Sequence, residues 1–314
     1  MIMEAAAPRA WKVLLAFAII YFVWGSTFLA IRVGVREVPP FLLAGMRFLI
    51  AGVLLYGWMR AKGIASPSAR EWRSASILAV LIFLLDYGLL FWAERRVASG
   101  IAAVMMATIP VFMTVSEILI LRTQRLTLRL SVAMLVGVAG VAVLVSRSAK
   151  FGDAPIDGIG AIALLVAAIS WSIGSALTRK LPLPPEKAMS SGAQMLAGGV
   201  FLTLTAAGLG EFRGFALQSV SMKAWLALAY LTIAGSIIAF TAYLWLIHHE
   251  SPTKVGTYAY VNPVVAVGLG YFFAGEALTA RTVLGTLLVL VSVVVITVFA
   301  GRRNGTSAGD AEII

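Results

Sequence analysis

Ten apolar stretches, each about long enough to cross a membrane, follow one another along the chain with only short gaps between them. A helix needs about 20 mostly apolar residues to cross about 30 Å of hydrocarbon. Alternation of apolar and polar residues, typical of membrane β-barrels, is absent from these stretches. Because lipid offers the backbone no hydrogen bonds, we predict helices. The predicted helices span roughly 13–34, 41–60, 74–93, 99–121, 128–146, 157–179, 187–209, 223–247, 253–274 and 281–301.

The composition excludes most classes of soluble protein. Of the 314 residues, 61% are apolar and only 12% are charged, whereas a soluble domain carries about 25% charged residues. A chain without cysteine has no disulfides, thiolate metal sites or cysteine nucleophile. An ordinary cytoplasmic enzyme, a disordered chain and a disulfide-rich secreted module are therefore excluded.

Lysine and arginine are divided unevenly between the two sets of loops. Counting alternate loops together with the termini places 15 of the 25 basic residues in one set and 9 in the other, with Arg47 inside a span. Cytoplasmic loops carry the excess of Lys and Arg in membrane proteins. We therefore predict that both termini lie in the cytoplasm.

The chain repeats itself after about 150 residues. The segment 24–32, which begins Trp-Gly-Ser and ends in Arg, matches 171–179 at a shift of 147 residues. Five predicted helices fall in each half, 1–150 and 151–314, and an odd number inverts the second half relative to the first. Inverted repeats are typical of secondary transporters, whose substrate site lies near the bilayer midplane. Later matches, at a shift of 153, are Trp92 with Trp245 and Pro110 with Pro263.

The sequence resembles the drug/metabolite transporter superfamily, specifically its ten-helix EamA group and, within it, the YddG-type amino-acid exporters. The resemblance covers about 12–301 and implies an inner-membrane exporter with both termini inside, in which Glu276 forms a structural turn. The Gly-Glu element of the second half has no equivalent in the first, where Thr123-Gln124 stands instead. The matching features are Trp24-Gly-Ser-Thr, Arg32, Pro39-Pro40 before Arg47, Pro110, Tyr260-Val-Asn-Pro263 and Gly275-Glu276-Ala-Leu-Thr279.

Candidate substrate-binding residues combine aromatic rings, small polar groups and one acid within the predicted spans. An indole offers a flat π-face to an ammonium group or an apolar side chain. Pro110 and Pro263 each free a carbonyl one turn back, and we interpret them as hinges, with helix packing as the alternative. The candidates that would line a central cavity are Trp24, Ser26, Asp86, Tyr87, Met105, Trp171, Ser175, Tyr243, Tyr258 and Asn262.

The two charges inside predicted spans have competing interpretations. A charge at mid-depth costs at least ~2.5–3.5 kcal/mol, so each needs a reason. Asp86 is either a proton carrier or partner for a substrate ammonium, or a buried acid bonded to a neighbouring helix. Its role leaves the energy source open between proton antiport and facilitated export. For Arg47 we favour structural pairing or snorkelling to the interface.

These features predict a secondary transporter and not an enzyme. We expect transport by alternating access through a cavity between the repeats, and the family resemblance implies export of amino acids, aromatic or other apolar ones. A sugar-phosphate or nucleotide-sugar exchanger of the same superfamily is the main alternative, and a membrane enzyme or assembly factor for lipid-linked groups is a further one. We expect a monomer with a small-molecule substrate, lipid around it, no nucleic-acid partner, no cofactor and no metal ion.

Overall fold

The computed structural model describes residues 10–122, 127–145, 157–249, 255 and 258–306, and all regular secondary structure in these ranges is helical. The pair Thr123-Gln124 and most of 250–257 lie outside the described residues. The helices are α1 (Ala10–Gly34), α2 (Pro40–Ala61), α3 (Ala69–Ala93), α4 (Ser99–Leu121), α5 (Leu128–Val145), α6 (Gly158–Thr178), α7 (Lys187–Gly208), α8 (Met222–Tyr230, Leu231–Ile238 and Ala239–His249), α9 (Tyr258–Ala274) and α10 (Ala280–Thr306).

Six of these helices, α1 to α4, α6 and α8, are long and apolar enough to cross a membrane. Shorter apolar stretches lie in α5, α9 and α10. Large apolar side chains such as Leu14 and Phe272 are 69% and 77% exposed, a surface that water disfavours and lipid solvates. The chain is therefore a helical multi-pass membrane protein, and the prediction of helices in place of strands is confirmed.

The helix α3 begins five residues before the predicted start of its apolar stretch. Ser68 accepts a hydrogen bond from the backbone N–H of Glu71, whose carboxylate accepts one from the backbone N–H of Ser68 at 2.7 Å. This capping box satisfies two backbone donors at the helix start. Hydropathy alone misses such a polar first turn.

Three helices depart from regular α-helical geometry. The middle parts of α3 and α8, Ala79–Tyr87 and Leu231–Ile238, are π-helical. Adding 153 to the numbers of the first segment gives 232–240, so both segments occupy nearly the same place in the repeat. The helix α4 is interrupted between Met106 and Ile109, directly before Pro110. Because π-helical turns occur frequently at functional sites, these segments make the interior of the bundle a candidate functional site.

The helices α2 and α7 pack closely in antiparallel directions. Small residues let two membrane helices approach each other at backbone distance. A Cβ atom on Gly199 would lie 2.5 Å from the backbone nitrogen of Leu49, and one on Gly52 would lie 2.6 Å from that of Leu196. Adding 147 to the residue number on α2 and subtracting 147 from the residue number on α7 converts each of these contacts into the other. Two further contacts, Gly45 with Thr203 and Gly192 with Tyr56, are exchanged in the same way.

The helices α5 and α10 form a second antiparallel pair of this kind. A Cβ atom on Gly137 would lie 2.6 Å from the Ser292 hydroxyl oxygen, and one on Gly140 would lie 2.9 Å from the backbone nitrogen of Val289. Adding 152 to the residue number on α5 and subtracting 152 from the residue number on α10 converts each of these contacts into the other. The α1–α9 contact, where Gly25 meets the carbonyl of Asn262, likewise corresponds to the α6–α4 contact. The packing of the described helices is thus reciprocal.

Carboxylates tie together loops at one end of the bundle. The Glu37 carboxylate accepts hydrogen bonds from the backbone and the hydroxyl of Ser221 at 2.6 and 2.7 Å, at the start of α8. The Glu211 carboxylate accepts from the backbone N–H of Leu42 in α2 at 2.8 Å. Arg96 and Asp157 form an ion pair at 3.2 Å. Each contact joins segments near odd-to-even helix connections, so those connections lie together.

Acid is expected to weaken this end of the bundle. Hydrogen bonds from Ser221 hold the pKa of Glu37 below its ordinary value. A carboxylate whose folded pKa is depressed stabilises the fold above its unfolded pKa, and that stability is lost as pH falls through the folded pKa. Melting temperatures in detergent between pH 7 and pH 3 should therefore fall less steeply for Glu37→Gln than for the wild type. The exposed Glu186, mutated to Gln, is the control, and a Glu37→Gln profile parallel to the wild type would contradict the prediction.

Candidate functional site

Aromatic side chains of three helices meet in the interior around Trp24. The Trp24 ring on α1 lies 5.0 Å from the Tyr243 ring on α8 and 5.2 Å from the Tyr258 ring on α9. Its indole N–H donates to the carbonyl of Gly235 at 3.2 Å, within the π-helical segment of α8. Aromatic pairs at these distances stabilise one another beyond the area they bury, so Trp24 is a fixed ring in the core.

A second aromatic group lies around Tyr87 on α3. The Tyr87 ring is 4.8 Å from Phe48 on α2 and 6.0 Å from Trp171 on α6, which it meets edge to face. Tyr258 packs against the buried core that holds Phe48 and Trp171 as well as against the one that holds Trp24, which joins this group to the one around Trp24. We call the joined set the central aromatic cluster: Trp24, Phe48, Tyr87, Trp171, Tyr243 and Tyr258.

The central aromatic cluster draws on both predicted repeats, and its tryptophans are buried whereas its three tyrosines are half-buried. Trp24 and Trp171, which the repeat relates to each other, are each 7% exposed. Met105, the repeat counterpart of Tyr258, is fully buried on α4. A mainly apolar site with a few polar groups is the usual construction of a small-molecule pocket.

Other predicted site residues lie at different distances from the cluster. Asn262, 7% exposed, donates from its amide to the carbonyls of Tyr21 and Tyr258 at 3.0 and 3.3 Å in the orientation that satisfies the side chain. Ser175 is half-buried on α6. The Ser26 hydroxyl instead lies 2.6 Å from that of Tyr230, at the more exposed α1–α8 contact. The structure therefore brings Asn262 to the cluster and turns Ser26 away from it.

Asp86 lies inside the bundle on the π-helical segment of α3. It is 1% exposed, and its Oδ1 has no hydrogen-bond partner among the described residues. A buried charged group without a partner is expensive in lipid and is a functional-site hypothesis by default, so the geometry favours the functional interpretations of Asp86.

Arg47 occupies the interior and does not snorkel to the interface, and its structural pairing is with a hydroxyl group of another helix. The side chain is 1% exposed, and its Nε donates to the hydroxyl of Ser236 on α8 at 2.8 Å. The guanidinium carbon lies 4.7 Å from the Phe48 ring centre and 5.1 Å from that of Tyr87. Among the described residues no carboxylate pairs with it. Arg47 therefore belongs to the candidate site, which the sequence-based interpretation missed.

The comparisons with known proteins identify the family. The model of the EamA-like transporter family matches residues 11–146 and again residues 158–298. The chain belongs to the EamA-like transporter family. It is therefore a membrane transporter, and the buried cluster is the interior of an EamA transporter.

Relatives of this EamA transporter occur in bacteria and archaea. The uncharacterized inner membrane transporter YedA of Escherichia coli K12 is 38% identical over 280 residues, which is 88% of each chain. An uncharacterized transporter of Archaeoglobus fulgidus is 25% identical over 90% of this chain and 96% of its own length. A crystal structure that aligns with a TM-score of 0.64, over 94% of this chain and 99% of that chain at 23% identity, shares the fold.

The two prolines of this EamA transporter differ in their settings. Pro110 follows the break in α4, where the Thr108 hydroxyl donates to the carbonyl of Met105 at 2.6 Å. Pro263 lies inside α9, between Asn262 and Val265, which Gly25 of α1 contacts. The hinge role stays a prediction for both, and the break at Pro110 supplies a place where α4 bends.

Proposed function

We propose that this EamA transporter is an inner-membrane secondary transporter that exports amino acids, aromatic or other apolar ones, and related small metabolites. Ten helices form two inverted halves, residues 1–150 and 151–314, and the solute crosses by alternating access between them. Both termini lie in the cytoplasm, and the working unit is a monomer. The observation that carries the proposal is the central aromatic cluster, to which both halves contribute.

Reciprocal packing supports the inverted halves. In the α2–α7 and α5–α10 pairs, the repeat shift exchanges the contacts, as Gly199 with Leu49 and Gly52 with Leu196 illustrate. Antiparallel pairs of this kind are expected on a two-fold axis in the membrane plane, which relates the halves of many transporters. A solute bound on that axis meets related side chains from both sides, such as Trp24 and Trp171.

The contacts between helix ends support ten crossings. The connections joined through Glu37, Glu211 and Asp157 each follow an odd-numbered helix, and in a ten-helix path these connections share one side of the membrane. At the other end, the Lys180 ammonium donates to the carbonyl of Ile120, and both residues lie near connections that follow an even-numbered helix. With the excess of Lys and Arg on this second side, the termini are cytoplasmic.

The balance of buried charge favours a zwitterionic solute over a sugar phosphate. Among the side chains that the structure describes in the middle of the helices, the buried ionisable ones are one base, Arg47, and one acid, Asp86. A sugar phosphate or nucleotide sugar carries net negative charge and needs several cations for its phosphates. An amino acid is net neutral, and its apolar side chain suits the aromatic rings of the cluster.

Counterflow into proteoliposomes tests the proposal. Proteoliposomes that contain the purified protein are each loaded with one unlabelled compound, and uptake of the same compound in labelled form is followed for phenylalanine, tryptophan, leucine, glutamate and a nucleotide sugar. We expect exchange of the apolar and aromatic amino acids and none of the nucleotide sugar. Exchange confined to the nucleotide sugar would show the proposal to be wrong.

Alanine at Trp24 or Trp171 is expected to lower the initial rate of this counterflow about 10-fold or more. Each substitution removes a ring from the central aromatic cluster, and ring contacts with an ammonium or an apolar group stabilise the bound solute. Phenylalanine at the same positions should retain most of the rate. Trp58, which is 52% exposed at the end of α2, is the control, and Trp58→Ala should transport as the wild type does. Equal rates for all three alanine variants would contradict the prediction.

A further inference from the structure

Arg47 is a buried cation that the architecture of the repeat does not require. Its repeat counterpart is Gln194, a neutral residue that is 6% exposed and donates to the Ser190 hydroxyl on its own helix at 3.0 Å. The same place in the fold is thus filled in the other half without charge. A buried charge in a membrane protein is expensive, so Arg47 calls for an explanation beyond packing.

The structure holds Arg47 in one orientation and leaves part of its guanidinium without a hydrogen bond. Nε donates to Ser236, whose own hydroxyl donates to the carbonyl of Leu231 at 3.1 Å. A Cβ atom on Gly235 would lie 3.1 Å from Nη2, so this glycine admits the guanidinium against α8. In contrast Nη1 is buried and has no hydrogen-bond partner among the described residues.

The surroundings of the free Nη1 edge are those of the candidate site. The guanidinium faces the rings of Phe48, Tyr87 and Phe91, and Tyr87 belongs to the central aromatic cluster. Ser236 and Gly235 lie on the π-helical segment of α8, which also accepts the hydrogen bond of Trp24. A fixed guanidinium with open donors in an apolar environment is well suited to a carboxylate.

We propose that Arg47 binds the carboxylate group of the transported solute and that Ser236 positions the guanidinium for it. The inference rests on the proposed transport of amino acids and deepens it, because it assigns the α-carboxylate of the solute to α2 and α8. The buried Nη1, which has no hydrogen-bond partner among the described residues, is the donor from which the carboxylate accepts.

Binding of matched solute pairs tests the inference. Isothermal titration calorimetry in detergent compares phenylalanine with phenylalaninol, in which a hydroxymethyl group replaces the carboxylate, and likewise leucine with leucinol and tryptophan with tryptophanol. The wild type is expected to prefer each amino acid by about 10- to 100-fold, the range for hydrogen bonds to charged groups. Arg47→Gln should reduce this preference to about 1, and Arg47→Lys should keep an intermediate preference because it retains charge but loses the fork.

Two further variants separate binding from folding. Ser236→Ala should lower the affinity for the amino acid more than the affinity for the amino alcohol, since the hydroxyl acts on the carboxylate only through Arg47. Arg60→Gln removes an exposed arginine from the same helix and should leave the preference unchanged. If Arg47→Gln does not fold, the wild-type preference and the Ser236→Ala variant still test whether Arg47 binds the carboxylate.

The outcomes distinguish the two proposals. A wild type that binds amino acids without preferring them to the amino alcohols overturns the role of Arg47 and leaves amino-acid transport standing. A folded Arg47→Gln variant that keeps the wild-type preference does the same. A wild type that binds none of the amino acids shows the proposed function to be wrong, and the inference falls with it.

Discussion

Replacing Gly199 with alanine is expected to destabilise the folded protein by about 2 kcal/mol, in the range for overpacked cores. The new Cβ atom would lie 2.5 Å from the backbone nitrogen of Leu49 on α2. A backbone atom has no rotamer by which to move aside, so the two helices must separate. Leucine at this position should prevent the α2–α7 pair from forming. Thermal melting in detergent and the monodisperse fraction on size exclusion measure both effects.

The same two helices supply the controls for this prediction. A Cβ atom added to Gly208 on α7 or to Gly57 on α2 would meet nothing within 4 Å, and alanine there should cost no stability, because alanine is the better helix former. Gly52→Ala, the reciprocal of Gly199→Ala, should destabilise by a similar amount. Equal melting temperatures for Gly199→Ala and Gly208→Ala would show that α2 and α7 do not pack at backbone distance.

Replacing Glu276 with glutamine is expected to destabilise the start of α4. The Glu276 carboxylate accepts hydrogen bonds from the backbone N–H and the hydroxyl of Ser99, both at 2.8 Å, and from the backbone N–H of Gly100 at 3.0 Å. It thus caps one helix from the loop between two others, and a negative charge there also complements the helix dipole. Loss of the charge should cost about 2 kcal/mol, on the scale for charge-assisted hydrogen bonds.

Hydrogen exchange localises the effect of Glu276→Gln. Protection of the first turn of α4 should fall before that of α2, since only the cap of α4 is weakened. The matched control is Glu186→Gln, because Glu186 makes no side-chain cap hydrogen bond at the start of α7. A melting temperature equal to that of the control would contradict the role of Glu276 as a cap. The structural role that the family resemblance implied for Glu276 thus acquires a specific partner, the N-terminus of α4.

The repeat in the sequence predicted much of what the packing shows. The shift of 147 that relates Trp24 to Trp171 is also the shift that exchanges the glycine contacts of α2 and α7. Both follow from one cause, because matching residues in related halves occupy matching places. The break in α4 directly before Pro110 has a local cause, since proline lacks the backbone donor that a continuous helix needs. The helix α9 continues through Pro263, so the hinge role of the two prolines stays a prediction.

The site was only partly predictable, as Arg47 and Ser26 illustrate. A helix that is apolar on nearly every side carries little periodic signal, so the sequence of α1 does not indicate which face turns inward. Ser26 and Trp24 are two residues apart, and the structure turns one to the exposed contact with Tyr230 and the other to the core. The burial of Arg47 depends on Ser236, 189 positions away, and no local pattern connects the two.

The sequence alone determined that this chain crosses the membrane repeatedly as helices, because the length and polarity of each segment set the free energy of transfer into lipid. It also determined the internal repeat and the family. Only the tertiary structure decided which helices meet, which glycines bring them together, and which buried polar atoms have no hydrogen-bond partner among the described residues. The physical reason is that lipid makes all apolar faces equivalent, so close packing and hydrogen bonds between distant segments choose the inward face.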